Sequence, residues 1–254
     1  MNIFGSVRRR HKRPLPKLGD TLGGWMEAQW APSGMDAGNH RFLALQPIFN
    51  RQKKIFGYEA LYRSGWDNQF HGDAETATQA ILEDWIFHGL QDLTGKRPTF
   101  LNCTREDLIK DSLKRLPLTA VIELLETVEP DKEVLEACRR MKKSGYQIAL
   151  DDFQVSEKME SLIEIADYIK VDFQISNEEK RSEIFRLLKR RPIKLIAEKI
   201  ETEEEFAVAR KEGFRLFQGY HLARPTVFSR RRIKTEDIQY FRSAKTLKEP
   251  AFSL

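Results

Sequence analysis

The sequence is poor in the features that mark membrane proteins and secreted disulfide-bonded proteins. It has no run of 18 apolar residues, so no segment is expected to cross a membrane as a helix. Its first residues are basic, but no apolar stretch follows them as in a signal peptide. The two cysteines, Cys103 and Cys138, have no metal-ligand spacing and form no disulfide framework. We therefore expect a cytoplasmic protein.

Several common catalytic motifs are also missing. The sequence contains no G-x-S-x-G nucleophile elbow, no G-x-x-x-x-G-K-[ST] phosphate loop and no G-x-G-x-x-G fingerprint. The five histidines are scattered along the chain, so a histidine metal centre is not expected. These absences argue against serine hydrolases of the elbow type and against the commonest nucleotide-binding folds.

Net charge is concentrated near the start of the chain. The whole sequence has a formal net charge of +5, and six basic residues against one acidic residue within residues 1–20 account for it. The rest is close to neutral, which gives no direct evidence for nucleic-acid or membrane binding. We predict three parts: a basic, mostly flexible leader (1–38), a barrel domain (39–228) and a basic C-terminal tail (229–254).

Short apolar segments alternate with helical ones from residue 41 onward. Helical spacing of apolar residues occurs over 75–93, 131–143 and 178–190, and a Thr202 to Glu205 capping box followed by Gly213 predicts a helix over 203–212. The strand candidates are 42–49, 54–62, 99–103, 119–125, 146–153, 167–173, 193–200 and 214–220. This alternation predicts an α/β fold, a TIM-like (β/α)₈ barrel, with an open doubly wound sheet as the alternative. The turn at 52–54 is too short for a helical crossover, so the first strand should be antiparallel.

Polar side chains interrupt the later part of almost every predicted strand. Buried carboxylates are costly unless they are paired or bound to metal, and barrel strands converge at their carboxyl ends. Carboxylate and amide oxygens suit Mg²⁺ or Mn²⁺, and two such ions are the usual device for hydrolysing a phosphodiester. The alternative, stabilising ion pairs, gives no reason for adjacent aspartates. The residues concerned are Glu59, Asn102, Glu123, Asp151, Asp152, Lys170, Asp172, Glu198, Glu201 and Gln218.

Eight short motifs, in order over about 185 residues, resemble those of the EAL domain family, which hydrolyses cyclic di-GMP to linear pGpG. They are QPIF (46–49), EALYR (59–63), LNC (101–103), ELLE (123–126), LDDF (150–153), IKVD (169–172), AEKIE (197–201) and QGYHLARP (218–225). Each motif alone is weak, but the ordered set is specific.

The resemblance implies a set of metal ligands. One or two Mg²⁺ or Mn²⁺ ions are expected, and two are favoured. The implied ligands are Glu59, Asn102, Glu123 and Asp151, with Asp152 and Glu198 serving the second ion.

The resemblance also implies roles beyond metal binding. Lys170 would assist the attacking water and Gln218 would help to orient it, so both join Glu59 and Glu198 in catalysis. Arg63 would hold a phosphate of cyclic di-GMP, and Gln46 lies near the guanine-binding region. Glu126 would anchor the loop after strand five, which couples metal binding to dimerisation in the family, so a homodimer is implied.

Two positions depart from the family pattern. Gln154 stands where the first glycine after DDF belongs, and Lys199 replaces the glycine of AEGVE. These changes resemble EAL domains that precede an HDOD domain, for which the residues after this barrel leave no room. They leave two functions open: a metal-dependent phosphodiesterase, or a weak or inactive cyclic di-GMP sensor that signals through a protein partner. A pure interaction module is disfavoured because the site residues are intact.

Overall fold

The computed structural model describes residues 26–27, 40–63, 90–110 and 112–231. Its strands are β1 (Met26–Glu27), β2 (His40–Asn50), β3 (Ile55–Arg63), β4 (Thr99–Cys103), β5 (Ala120–Leu124), β6 (Gln147–Leu150), β7 (Tyr168–Asp172), β8 (Lys194–Glu198), β9 (Leu216–Phe217) and β10 (Thr226–Arg231). Its helices are α1 (Leu90–Thr94), α2 (Arg105–Ile109), α3 (Lys132–Lys143), α4 (Glu160–Ile163), α5 (Glu178–Leu188) and α6 (Glu203–Glu212), with 3₁₀ turns at Ser112–Arg115 and Glu157–Met159.

Strands β2 to β9 form a closed eight-stranded barrel, as predicted. They pair in sequence order, and β9 closes the ring by pairing with β2. β2 is antiparallel to both β3 and β9, whereas the pairs from β3 to β9 are parallel. The open-sheet alternative is therefore wrong.

The β2–β3 hairpin explains the antiparallel first strand. The Asn50 side-chain oxygen accepts hydrogen bonds from the backbone N–H groups of Gln52 and Lys54, each at 3.0 Å. Lys53 adopts a left-handed backbone conformation (φ 54°) between them. Four residues thus reverse the chain, which leaves no room for a crossover helix.

The helices cover the outside of the barrel and begin where their capping residues stand. Thr202 and Glu205 form the predicted capping box of α6, and Gly213 ends that helix with φ 113°. The side chain of Asp131 caps α3, and that of Asn177 caps α5. Of the helix predicted over 75–93, only α1 lies within the described residues. No described helix is both long and apolar enough to cross a bilayer.

Strand alternation divides the barrel's apolar residues into two layers. Outward-facing residues such as Leu101, Ile122 and Ala197 pack beneath the helices. The inward-facing layer is tightly packed, with the rings of Phe100 and Tyr168 meeting edge to face at 5.0 Å between centroids. It consists of Ile48, Phe100, Val121, Ala149, Tyr168, Ile196 and Leu216. This layer fills the interior of the barrel at that level and forms an apolar floor.

β10 and β1 extend the sheet beyond the barrel. β10 runs antiparallel to the first part of β2, and β1 pairs with β10, with Met26 opposite Ser229. The sheet therefore includes residues on both sides of the predicted boundaries at 38/39 and 228/229. The character of the leader and the tail stays a prediction, since most of both lies outside the described residues.

Candidate functional site

A polar layer lies directly above the apolar floor of the barrel. Side chains two residues apart on a strand share a face, so each floor residue predicts the position of a polar one. Phe100 is followed by Asn102, Val121 by Glu123, and Ile196 by Glu198. β2 runs the other way, so its polar residue, Gln46, precedes Ile48 and pairs with Glu59 on β3. The full layer is Gln46, Glu59, Asn102, Glu123, Asp151, Lys170, Glu198 and Gln218.

Lys170 stands at the centre of this layer and is 1% exposed. Its Nζ lies 2.7 Å from Glu198 Oε1, 3.1 Å from Asp151 Oδ1 and 3.6 Å from Glu59 Oε2. It also forms an ion pair and hydrogen bond with Glu123, which is fully buried. One ammonium group thus faces four carboxyl groups, and the layer carries an excess of negative charge when they are ionised.

Burial and this crowding change the protonation of the layer. Burial raises the pKa of Glu123 well above its usual range and raises the pKa of Glu198 to about 8, against the opposing effect of Lys170. For Lys170 itself, burial disfavours the charged form, but the carboxylates outweigh it and raise its pKa. Lys170 likewise outweighs burial at Asp151, whose pKa is lowered. Without further cations, the layer therefore retains protons near neutral pH.

Two buried oxygens indicate that the layer fits a metal ion. Among the described residues, no hydrogen-bond donor reaches Glu123 Oε2 or Gln218 Oε1. Gln218 uses its Nε2 to donate to Glu59 Oε2, which leaves its own oxygen facing the layer. Buried acceptors without donors are costly. A hard divalent cation would bind these two oxygens and would neutralise the excess negative charge. The available ligand atoms suit such an ion, because they are carboxylate and amide oxygens.

β6 ends at Leu150, earlier than the predicted strand over 146–153, so Asp151 and Asp152 lie just beyond it. Asp151 continues the ladder by donating its N–H to the Leu124 carbonyl at 2.9 Å. Asp152 then turns the chain with φ 40°, an uncommon value for a non-glycine residue. One carboxylate oxygen each of Glu126, Asp151 and Asp152 lie within 4.8 Å of one another. Glu126 therefore lies at the edge of the polar layer, and its predicted role as a loop anchor stays a prediction.

Lys199 is a second cation near the site, and its partners could not be predicted from the sequence. Its Nζ lies 3.3 Å from Asp152 Oδ1 and also pairs with Asp172 Oδ2. Burial opposes its charge, but Asp172 and Asp152 outweigh that effect and raise the pKa of Lys199. The only signal in the sequence is a lysine at a position where the related motif has glycine.

A cavity of about 310 Å³ opens beside the polar layer, which is large enough for part of a nucleotide. Tyr220 is 49% exposed at its wall, and the Arg224 guanidinium lies 4.5 Å from the Tyr220 ring centroid. The lining residues are Gln46, Gln174, Glu198, Lys199, Glu201, Gln218, Gly219 and Tyr220. Gln46 thus lines both this cavity and the layer. Arg63 ends β3 four residues beyond Glu59.

Comparison with known proteins gives one family. The model of the EAL domain matches residues 89–225. The chain is 34% identical over 210 residues to the uncharacterized protein YuxH of Bacillus subtilis, covering 79% of this chain and 51% of YuxH. It is also 34% identical over 207 residues to the cyclic di-GMP phosphodiesterase CdgJ of Vibrio cholerae, covering 78% of this chain and 47% of CdgJ. The chain thus spans about half the length of these curated relatives.

Among solved structures, the fold is similar to that of Klebsiella pneumoniae BlrP1 in a complex with calcium and cyclic di-GMP. The TM-score is 0.61 at 25% identity, and the match covers 84% of this chain and 63% of the BlrP1 chain. A manganese and cyclic di-GMP complex of BlrP1 matches with the same TM-score, 0.61.

Proposed function

Because this chain belongs to the EAL domain family, we propose that it is a metal-dependent phosphodiesterase that hydrolyses cyclic di-GMP to linear pGpG. The observation that carries this proposal is the ring of four carboxyl groups around buried Lys170, at the mouth of the barrel and beside a cavity. Such a layer is not explained by stability alone, because the free energy needed to remove water from four carboxylates exceeds their attraction to one ammonium group.

We infer that these residues hold two Mg²⁺ or Mn²⁺ ions. When bound, such ions supply Lewis-acid activation of the phosphodiester and of the attacking water. We assign Asp152 and Glu198 to the second ion, and to the first ion Glu59, Asn102, Glu123 and Asp151. The calcium and manganese complexes of BlrP1 support divalent cations in this fold.

Other residues of the layer would bind and orient the reactants. Hydrolysis adds one water across a P–O bond: the hydroxyl goes to phosphorus and the proton to the ribose oxygen that leaves. Lys170 places its positive charge where negative charge develops on the phosphoryl oxygens. Gln218 orients the attacking water, with its oxygen directed at the layer. Gln46 contacts the base from the cavity wall, and Arg63 holds a phosphate.

A second function, a cyclic di-GMP receptor with little or no turnover, is favoured by one observation. The Lys199 ammonium already pairs with Asp152, a residue that we assign to the second metal ion. A receptor of this kind would act through a homodimer or another protein partner, and both assemblies stay predictions.

The test is to incubate purified protein with cyclic di-GMP and Mn²⁺ or Mg²⁺, separate the nucleotides over time, and titrate binding in Ca²⁺. A phosphodiesterase produces pGpG, and Glu59→Gln and Lys170→Met each lower the rate at least about 100-fold. Lys142→Met, which removes an ion pair with Asp167 outside the layer, leaves the rate unchanged. Binding without product identifies the receptor, whereas neither binding nor product refutes both functions.

A further inference from the structure

Two residues at the edge of the site hold backbone conformations that side chains disfavour. Asp152 has φ 40° and Lys199 has φ 54°, both in the left-handed region where glycine is at home. Such conformations persist only where the surrounding contacts maintain them, and they occur preferentially at functional sites. Here the two residues contact each other through their side chains.

The position of Lys199 is maintained by a short chain of hydrogen bonds. Gln174 donates its side-chain Nε2 to the Lys199 carbonyl at 3.0 Å. The backbone N–H of Gln174 donates to Asp172 Oδ1 at 2.7 Å. The second oxygen of Asp172 pairs with the Lys199 ammonium, and Asp172 is only 4% exposed. The backbone carbonyl and the ammonium group of Lys199 are therefore both held by residues 172–174, with the ammonium also in contact with Asp152.

Asp152 faces positive charge on one side and negative charge on the other. The Lys199 Nζ lies 3.3 Å from Asp152 Oδ1, while carboxylate oxygens of Glu126 and Asp151 lie within 4.8 Å of an oxygen of Asp152. A divalent ion that bound Asp152 would stand close to the Lys199 ammonium and be repelled by it. The Lys199 side chain is 51% exposed, so it has room to swing into the solvent when such an ion enters.

We propose that Lys199 is a tethered cation that competes with the second metal ion for Asp152, so that the protein binds one divalent ion well and the second only at higher concentration. This inference rests on the proposed metal site. It implies that the fraction of protein with a second metal ion bound, and therefore the rate of hydrolysis, is regulated by the free concentration of divalent cation. The cation that competes with the metal ion is thus a side chain of the protein itself.

The test is a titration of the metal-free 254-residue chain with Mn²⁺ alone, in which free Mn²⁺ is measured by electron paramagnetic resonance. Wild-type protein is expected to bind one ion per chain, followed by a second at least about tenfold more weakly. Lys199→Met keeps the length of the side chain and removes its charge. It should strengthen the second binding step at least about tenfold, because it removes a unit charge a few ångströms from the ion.

Two further variants separate charge from backbone conformation. Lys199→Gly removes the charge and suits the positive φ, and it should match Lys199→Met. Lys53→Met is the matched control, because Lys53 has the same φ of 54° and an ion pair with Glu203 at 2.7 Å outside the polar layer. It should leave both binding steps unchanged.

Each contrary result refutes a different statement. Two equal binding steps in wild-type protein, or a second step that Lys199→Met leaves unchanged, overturn the competition and leave the proposed function intact. A gain in Lys199→Gly alone shows that backbone conformation is the cause and also overturns it. If neither wild-type protein nor any variant binds Mn²⁺, the metal-dependent function fails together with the competition.

Discussion

Replacing Lys170 by methionine tests the charge balance of the barrel mouth. The side chain keeps its length and apolar stem, but the four carboxyl groups around Nζ lose their common cation. Removing one member of a buried ion pair costs about 3–5 kcal/mol when the partner stays ionised. We expect a loss of that size in the free energy of unfolding at pH 9 in metal-free buffer.

The loss should be smaller at pH 6, and the reason lies in Glu198. Its pKa of about 8 shows that the wild-type site already retains a proton below that pH. Removing Lys170 raises the carboxyl pKa values further, so the folded variant retains protons to higher pH than the folded wild type. Over the pH range in which the folded variant binds one proton more than the folded wild type, the stability lost by the variant therefore grows by about 1.4 kcal/mol for each unit that the pH rises.

Urea unfolding of both proteins at pH 6 and pH 9, with EDTA and with Mn²⁺, measures this difference. Mn²⁺ should reduce the loss, because a divalent ion replaces the missing charge. In Lys142→Met, the lost ion pair with Asp167 is partly exposed, and a change of about 0–1 kcal/mol at both pH values is expected. A loss at Lys170 that is independent of pH, or unaffected by Mn²⁺, would refute the idea that charge compensation is what Lys170 supplies.

Three further predictions concern Glu198 and the loops at the barrel rim. The pKa of Glu198 is raised in the folded state, so its contribution to stability is complete below about pH 4.5 and is lost as pH rises through about 8. The free energy of unfolding of metal-free protein should therefore decline over this range, and Glu198→Gln should make the decline smaller. Gly219→Ala should lower the melting temperature sharply, because the added Cβ would lie 2.1 Å from the Ile200 carbonyl oxygen. Thr202→Ala should cost about 1 kcal/mol in chemical unfolding, since it removes the cap of α6, whereas Thr202→Ser should restore most of it.

The polar layer was predictable because β-strand alternation acts locally. Val121 and Glu123, or Ile196 and Glu198, stand two residues apart on strands whose limits follow from their apolar composition. The apolar floor and the polar layer can therefore both be predicted from residues that are close together in the sequence. The same holds for the capping box of α6.

Features that depend on distant contacts were not predictable in this way. The strand predicted over 214–220 shrinks to β9, because the chain turns after Gln218 and its carbonyl accepts from Ile200 N–H instead. β10 was missed, since its arginine run indicated a charged tail and its partner, β2, lies far away in sequence. The ion pair of Lys199 with Asp152 likewise joins the loops after β6 and β8, which lie 47 residues apart and meet because both strands pair with β7.

The pairing of β2 with β9 has a consequence for how the chain reaches this structure. Strands β3 to β8 each pair with the next strand along the chain, so they can assemble progressively during synthesis. Ring closure joins Phe49 to Phe217, and the other part of β2 acquires its second neighbour only when residues 226–231 are present. Contacts of such long sequence separation form slowly. Until residues 226–231 are present, the first part of β2 has an unpaired edge, at which chains can associate and aggregate.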